Sequence, residues 1–198
     1  MAPMLYNNTH NLRKAGLGSF LLGLLQVILN PRQAWNDAYK DAFNAKSLLT
    51  AGLVPFLIIV GFSSLIKAFY YISVSYMEAI FSGVIDFTGY FVSIFICNYL
   101  FTLLLKRYVY PARFNANNVL TFIIYSVSSM ALMTLLNNVF PADLALLSFL
   151  PLYVLYIMWC GASYLNVPDD YRPHFIASAI LTVFTPPYVL SYCLSLFI

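Results

Sequence analysis

Charged side chains are scarce: Asp, Glu, Lys and Arg make up 9% of the 198 residues, while 62% are hydrophobic. A soluble domain carries roughly 25% charged residues and about half apolar ones. A packed core cannot absorb this excess, so apolar surface must face lipid, and a soluble domain is excluded. Cysteine is scarce as well. Cys97, Cys160 and Cys193 each fall inside an apolar run without ligand-like spacing. They imply neither a disulfide framework nor a zinc site and read as small hydrophobes. The net charge of +3 gives no reason to expect nucleic acid as a partner.

Catalytic motifs are missing too. The chain contains no H-E-x-x-H, no phosphate-binding Gly-Lys loop, no G-x-S-x-G and no paired acids within an apolar run. Cys160-Gly161-Ala162-Ser163 comes near the serine motif of intramembrane proteases. Tyr164 follows where that motif needs Gly, however, and the only downstream histidine, His174, stands before the last apolar run. The expectation is a protein that is not an enzyme, with no catalytic, metal-ligating or cofactor-binding residue and no cofactor.

What the chain does have is length in its apolar runs. Five of them, at 48–68, 83–105, 119–140, 144–165 and 175–198, are long enough to cross a hydrocarbon core of about 30 Å, which needs about 20 helical residues. Short polar or turn-like breaks separate them, so neighbours run antiparallel. The expected fold is all-α: an integral membrane bundle of five transmembrane helices over 48–198, preceded by a segment, 1–47, with amphipathic interfacial helices.

Charge asymmetry orients the bundle. Arg13, Lys14, Arg32, Lys40 and Lys46 precede the first run, Lys106, Arg107 and Arg113 follow the second, and Arg172 follows the fourth. Only Lys67 falls on the other side. The excess of basic residues on cytoplasmic loops predicts a cytoplasmic N-terminus and, after five crossings, a C-terminus on the outer side of the inner (plasma) membrane.

Within 1–47, the apolar stretch 15–29 follows Arg13 and Lys14 as in a signal peptide, but Asn30-Pro31-Arg32 replaces a small-residue cleavage site. Fifteen residues are too few to span, which points to an interfacial or re-entrant helix. From Pro31 the sequence reads as an amphipathic helix with Trp35, Ala38, Tyr39 and Ala42 on one face and Lys40 off it. Arg32, Trp35 and Lys40 are the expected membrane-surface residues, with membrane lipids as partner.

Polar residues inside the runs are few and patterned. Asp86, Tyr90, Ser93 and Cys97 share one face of the second run, and Asp86 is the only acid within a predicted span. Lys67 lies at the same outer level. Asp86 reads as a helix-end residue in interfacial water, as half of an ion pair with Lys67, or as a proton or substrate site. Thr121, Tyr125 and Ser128 stripe the third run; Tyr153, Tyr156, Cys160 and Ser163 stripe the fourth. Such stripes mark helix contacts or line a polar cavity. Pro186 and Pro187 fall in mid-span, deprive the carbonyls of Thr182 and Val183 of their amide partners and push Thr185 away from helical geometry. Pro151 is expected to do the same to Leu147. Asp86, Tyr90, Ser93, Lys67, Tyr156, Thr185, Pro186 and Pro187 are therefore the candidate polar pathway or hinge.

Two short segments carry a resemblance. Asn30-Pro31-Arg32-Gln33-Ala34-Trp35 precedes the closely spaced spans, and Tyr156-Ile157-Met158-Trp159-Cys160-Gly161 with Leu165-Asn166-Val167-Pro168 precedes the last. From about Leu29 onward the chain resembles the Yip-domain family of five-helix membrane proteins, in its bacterial branch. That resemblance implies five spans and a cytoplasmic N-terminus. The expected function is a membrane scaffold, organising or trafficking-like protein, with a membrane protein or a second copy of the chain as lateral partner. The alternative is a small transporter or lipid-handling protein.

Overall fold

In a computed structural model the described residues are 16–41, 44–70, 74–108, 115–140 and 150–196. All the regular structure among them is helical. Helix α1 covers Leu17–Leu29 and α2 covers Pro31–Asp41. A short α3, Ala45–Ser47, leads through a π-helical stretch, Leu48–Leu53, into α4, Val54–Tyr70. Then come α5, Tyr76–Tyr108; α6, Ala116–Val139; α7, Leu150–Gly161; and α8, Arg172–Ser195.

Among the described residues, four helices are long and apolar enough to cross a membrane: Ala45–Tyr70, Tyr76–Leu105, Ala116–Val139 and Asp169–Ser195. They match four of the five expected runs. Of the run expected at 144–165, α7 covers the described helical part, Leu150–Gly161, and residues 144–149 lie outside the described residues. Pro151 is the second described residue of α7. Leu147, whose carbonyl it was expected to free, lies outside the described residues.

Helix α6 is the central helix. Its most apolar window is 67% buried, against 33–39% for the other three candidate spans. Antiparallel pairing with α8 aligns α5 residue by residue, from Gly89 beside Ser191, through Cys97 beside the Thr182 carbonyl, to Phe101 beside Phe175. The α4–α5 crossing is closer still. A Cβ on Gly61 would stand 2.9 Å from the Gly83 carbonyl oxygen, so only glycine admits this approach.

One end of the bundle is marked by Phe101, Phe122 and Phe175, whose rings meet where α5 ends and α6 and α8 begin. The start of α3 belongs there too, since the Ala45 amide donates to Asn117 Oδ1 at 2.9 Å. Arg32, Lys46 and Arg172 lie at this end, which is called the basic end below. Lys67 lies at the opposite end.

The N-terminal helices pack into the basic end. Phe20, Leu24 and Val27 of α1 are buried. Phe20 sits against Phe56 and stacks with Tyr125 at 6.0 Å. The π-helical stretch brings Gly52 against Phe20, where a Cβ would meet the ring at 2.7 Å.

Candidate functional site

The expected stripe on α5 begins near the end opposite the basic one. Asp86 there feels the charge of Lys67 and the side-chain amide of Asn138. No ion pair joins Asp86 to Lys67 among the described residues; the one that forms links Arg172 to Asp169. Asn138 is 2% exposed and donates through Nδ2 to Ser63 Oγ at 2.9 Å, while its Oδ1 has no partner. Ser63 in turn donates to the Val60 carbonyl, and Ser64 donates to the Ala79 carbonyl across the α4–α5 crossing. Three helices therefore contribute to this polar group: α4 with Ser63 and Lys67, α5 with Asp86, and α6 with Asn138.

One turn further along α5, the Tyr90 hydroxyl lies 2.7 Å from Thr134 Oγ1 and 3.4 Å from the Met130 carbonyl oxygen. Ser93 is fully buried and donates back to the Tyr90 carbonyl at 2.7 Å. Cys97, also fully buried, donates from its thiol to the Thr182 carbonyl at 3.2 Å. The stripe is a seam: its members bond to α6, to α8 or to their own helix.

The Cys97 contact explains how α8 tolerates its prolines. Pro186 has no amide to give to the Thr182 carbonyl four residues earlier. That carbonyl, inside an apolar bundle, needs another donor, and the α5 thiol supplies it. Helix α8 accordingly runs unbroken from Arg172 to Ser195 with Pro186 and Pro187 inside it and both buried. Thr185, expected to be pushed away from helical geometry, stays helical and exposed.

Tyr156 is not part of this seam. It is 41% exposed, and its ring meets Tyr153. The Tyr153 hydroxyl reaches across to the Ile28 carbonyl of α1. The hydroxyls of Ser128 and Ser129 turn back onto their own helix, to the carbonyls of Ile124 and Tyr125.

Trp35 departs most from expectation. Expected at the membrane surface, it is 1% exposed, and its indole N–H donates to the Ile157 carbonyl at 3.1 Å. Its ring packs on Phe122 and Tyr164 and meets Tyr125 edge-on. A Cβ on Gly161 would stand 2.9 Å from the indole, so Gly161 is what admits it. The apolar face of α2, with Ala34, Trp35 and Ala38, is covered by protein. Arg32 is exposed as expected; the Lys40 side chain lies outside the described residues. The two segments that carry the family resemblance thus meet each other, 122 residues apart in sequence.

Sequence reasoning missed Thr134 as the partner of Tyr90 and Ser63 as the partner of Asn138. Thr134 and Asn138 stand four apart on α6, a spacing that faces one neighbour. That was the available signal, but nothing in the pattern said which neighbour. Chemically, the polar group offers one carboxylate, one ammonium and an unpartnered amide oxygen, and it contains neither a nucleophile paired with a base nor a metal-ligand cluster.

No protein-family model, curated protein or solved structure matches the chain.

Proposed function

We propose that this is a non-enzymatic multi-pass membrane protein of Yip type, a scaffold or organising factor of the inner (plasma) membrane that acts through its lateral helix faces. The observation that carries this reading is the α5 seam. Of the residues that would line a pathway, Tyr90 and Cys97 bond α5 to α6 and α8, and Ser93 is buried and bonded back onto α5. The outward faces, by contrast, are rich in exposed apolar side chains such as Phe62, Phe95, Tyr99 and Leu181, available to lipid or to a lateral partner.

Five crossings fit the geometry. Helix α6 starts at the basic end and leaves it, yet α8 starts at the basic end again. A return between Phe140 and Arg172 is part of this reading, supported by Gly161, at the end of α7, standing beside Phe122. With a fifth crossing there, the basic end is cytoplasmic, as is the N-terminus, and the C-terminus is outside.

Cysteine accessibility from each side tests this reading. In a background without native cysteines, single cysteines at positions 86, 90, 93 and 97 are probed with an impermeant thiol reagent. Labelling confined to position 86 is expected; labelling that continues to 93 or 97 would overturn the scaffold reading and reveal an aqueous path. One observation favours the transporter alternative, namely the unpartnered Asn138 Oδ1 beside Asp86. On that reading the pair would hold a proton or small cation, and the same labelling pattern would extend inward.

A further inference from the structure

We propose that α1 is a one-leaflet wedge, which makes the protein thicker in the leaflet at its basic end and sorts it to membrane that is convex on that side. This deepens the organising role proposed above and rests on it, since it names the lipid leaflet as the partner being organised.

The argument begins with length. Helix α1 has 13 residues, about 20 Å at 1.5 Å per residue, against a hydrocarbon core of about 30 Å. It cannot span. Its sequence is nevertheless apolar nearly all round, with Ser19 and Gln26 as the exceptions; Ser19 donates to the Gly16 carbonyl at 2.9 Å, and Gln26 donates from Nε2 to Asp37 of α2 at 3.0 Å. One face, with Phe20, Leu24 and Val27, is buried against the bundle. The other exposes Leu22, Leu25 and Leu29 at 59%, 49% and 80%. Three leucines on one face of a helix held against a membrane bundle belong in acyl chains rather than in water.

Position supplies the asymmetry. The contacts of α1 and α2 are with the π-helical stretch, with Phe56, Phe122 and Tyr125, and with α7 at Ile157 and Tyr153. All belong to the half of the bundle near the basic end. At the opposite end the described packing involves α4, α5, α6 and α8 only. One extra helix of 10–12 Å diameter adds roughly 80–110 Å² of cross-section in one leaflet. Helix α2, beside it, exposes Arg32, Gln33 and Asn36, side chains suited to headgroups. A body wider in one leaflet fits best where that leaflet is expanded. Binding of this kind depends on curvature because the inserted helix fills area that bending opens.

The test pulls membrane tubes from giant vesicles of phosphatidylethanolamine and phosphatidylglycerol that contain the full chain, labelled at its N-terminal segment. An impermeant quencher sorts molecules by orientation. Molecules with the N-terminal end outside should be enriched on the tube relative to the vesicle, increasingly so as the tube narrows; molecules with that end inside should be depleted. Because Leu22, Leu25 and Leu29 are exposed, replacing all three by Ala should leave folding intact and lower both effects. A thermal unfolding midpoint close to that of the wild type checks the fold.

No sorting in either orientation would overturn the wedge, as would sorting unchanged in the triple-Ala variant. Fluorescent spots of doubled brightness that become single in that variant would assign the leucine face to a second copy of the chain and overturn it as well. The outcome is separable from the accessibility scan: a dry α5 seam without sorting refutes the wedge alone, and a wet seam with sorting refutes the scaffold reading alone.

Discussion

Replacing Cys97 by Ala removes the thiol donor at the Thr182 carbonyl, and Pro186 has no amide to supply in its place. Two costs follow. Loss of one buried heavy atom costs about 1 kcal/mol, near the value of a buried methylene. Leaving the carbonyl unpaired in an apolar bundle adds about 0.6–1.7 kcal/mol, the range of interhelical hydrogen bonds in membrane proteins. The total is about 1.6–2.7 kcal/mol. A Pro186→Ala background separates the two, because an amide at position 186 can donate to the Thr182 carbonyl within α8. There Cys97→Ala should cost only the packing part, about 1 kcal/mol. The coupling energy of the double-mutant cycle should therefore be about 0.6–1.7 kcal/mol, and Cys97→Ser, which keeps a donor, should show little of it. Reversible unfolding in mixed micelles with rising dodecyl sulfate measures all of these variants. A cost for Cys97→Ala that is the same in both backgrounds, within about 0.3–0.5 kcal/mol, would refute the reasoning.

Three further outcomes follow from the packing. Trp35→Phe keeps a ring in the pocket but loses the bond to the Ile157 carbonyl, costing about 1 kcal/mol; Trp35→Ala should cost about 3–5 kcal/mol and release α1 and α2, read as protease cleavage between residues 30 and 44. Gly83→Ala should cost about 1–3 kcal/mol by pushing α4 away from α5, because its Cβ would run into the Gly61 carbonyl and stand 2.5 Å from Ser64 Oγ; unchanged unfolding would mean the crossing is looser than described. Thr134→Val removes the 2.7 Å partner of Tyr90 but leaves the Met130 carbonyl within 3.4 Å, so the loss should stay near 0.6 kcal/mol, measured in the same micelles.

Helix positions were legible because hydropathy decides them: four long apolar runs became four long apolar helices. The prolines were half legible. That Pro186 would strand the Thr182 carbonyl follows from covalent structure alone. That a thiol on another helix would take it up, and so keep α8 unbroken, depends on how α5 and α8 are registered, which no local pattern encodes. Cys97 was nevertheless on the right face of α5, eleven residues from Asp86, so the stripe was visible even though its purpose was not.

Trp35 shows where the limit lies. An amphipathic helix announces that one face is apolar, and Trp35 and Ala38 lay on that face both in sequence and in structure. Burial against lipid and burial against protein reward such a face almost equally, since both remove it from water. What distinguishes them is shape and hydrogen bonding. A bilayer interior offers the indole N–H nothing, whereas the bundle offers the Ile157 carbonyl and a gap beside Gly161. Those features sit more than 120 residues away, and only tertiary structure brings them to Trp35. Helix α1 is the complementary case. Its inner face found Gly52 and Tyr125, while Leu22, Leu25 and Leu29 stay exposed among the described residues, so the same short apolar helix is half core and half surface. Which faces of such a chain are left for a membrane is thus set by which faces the fold covers.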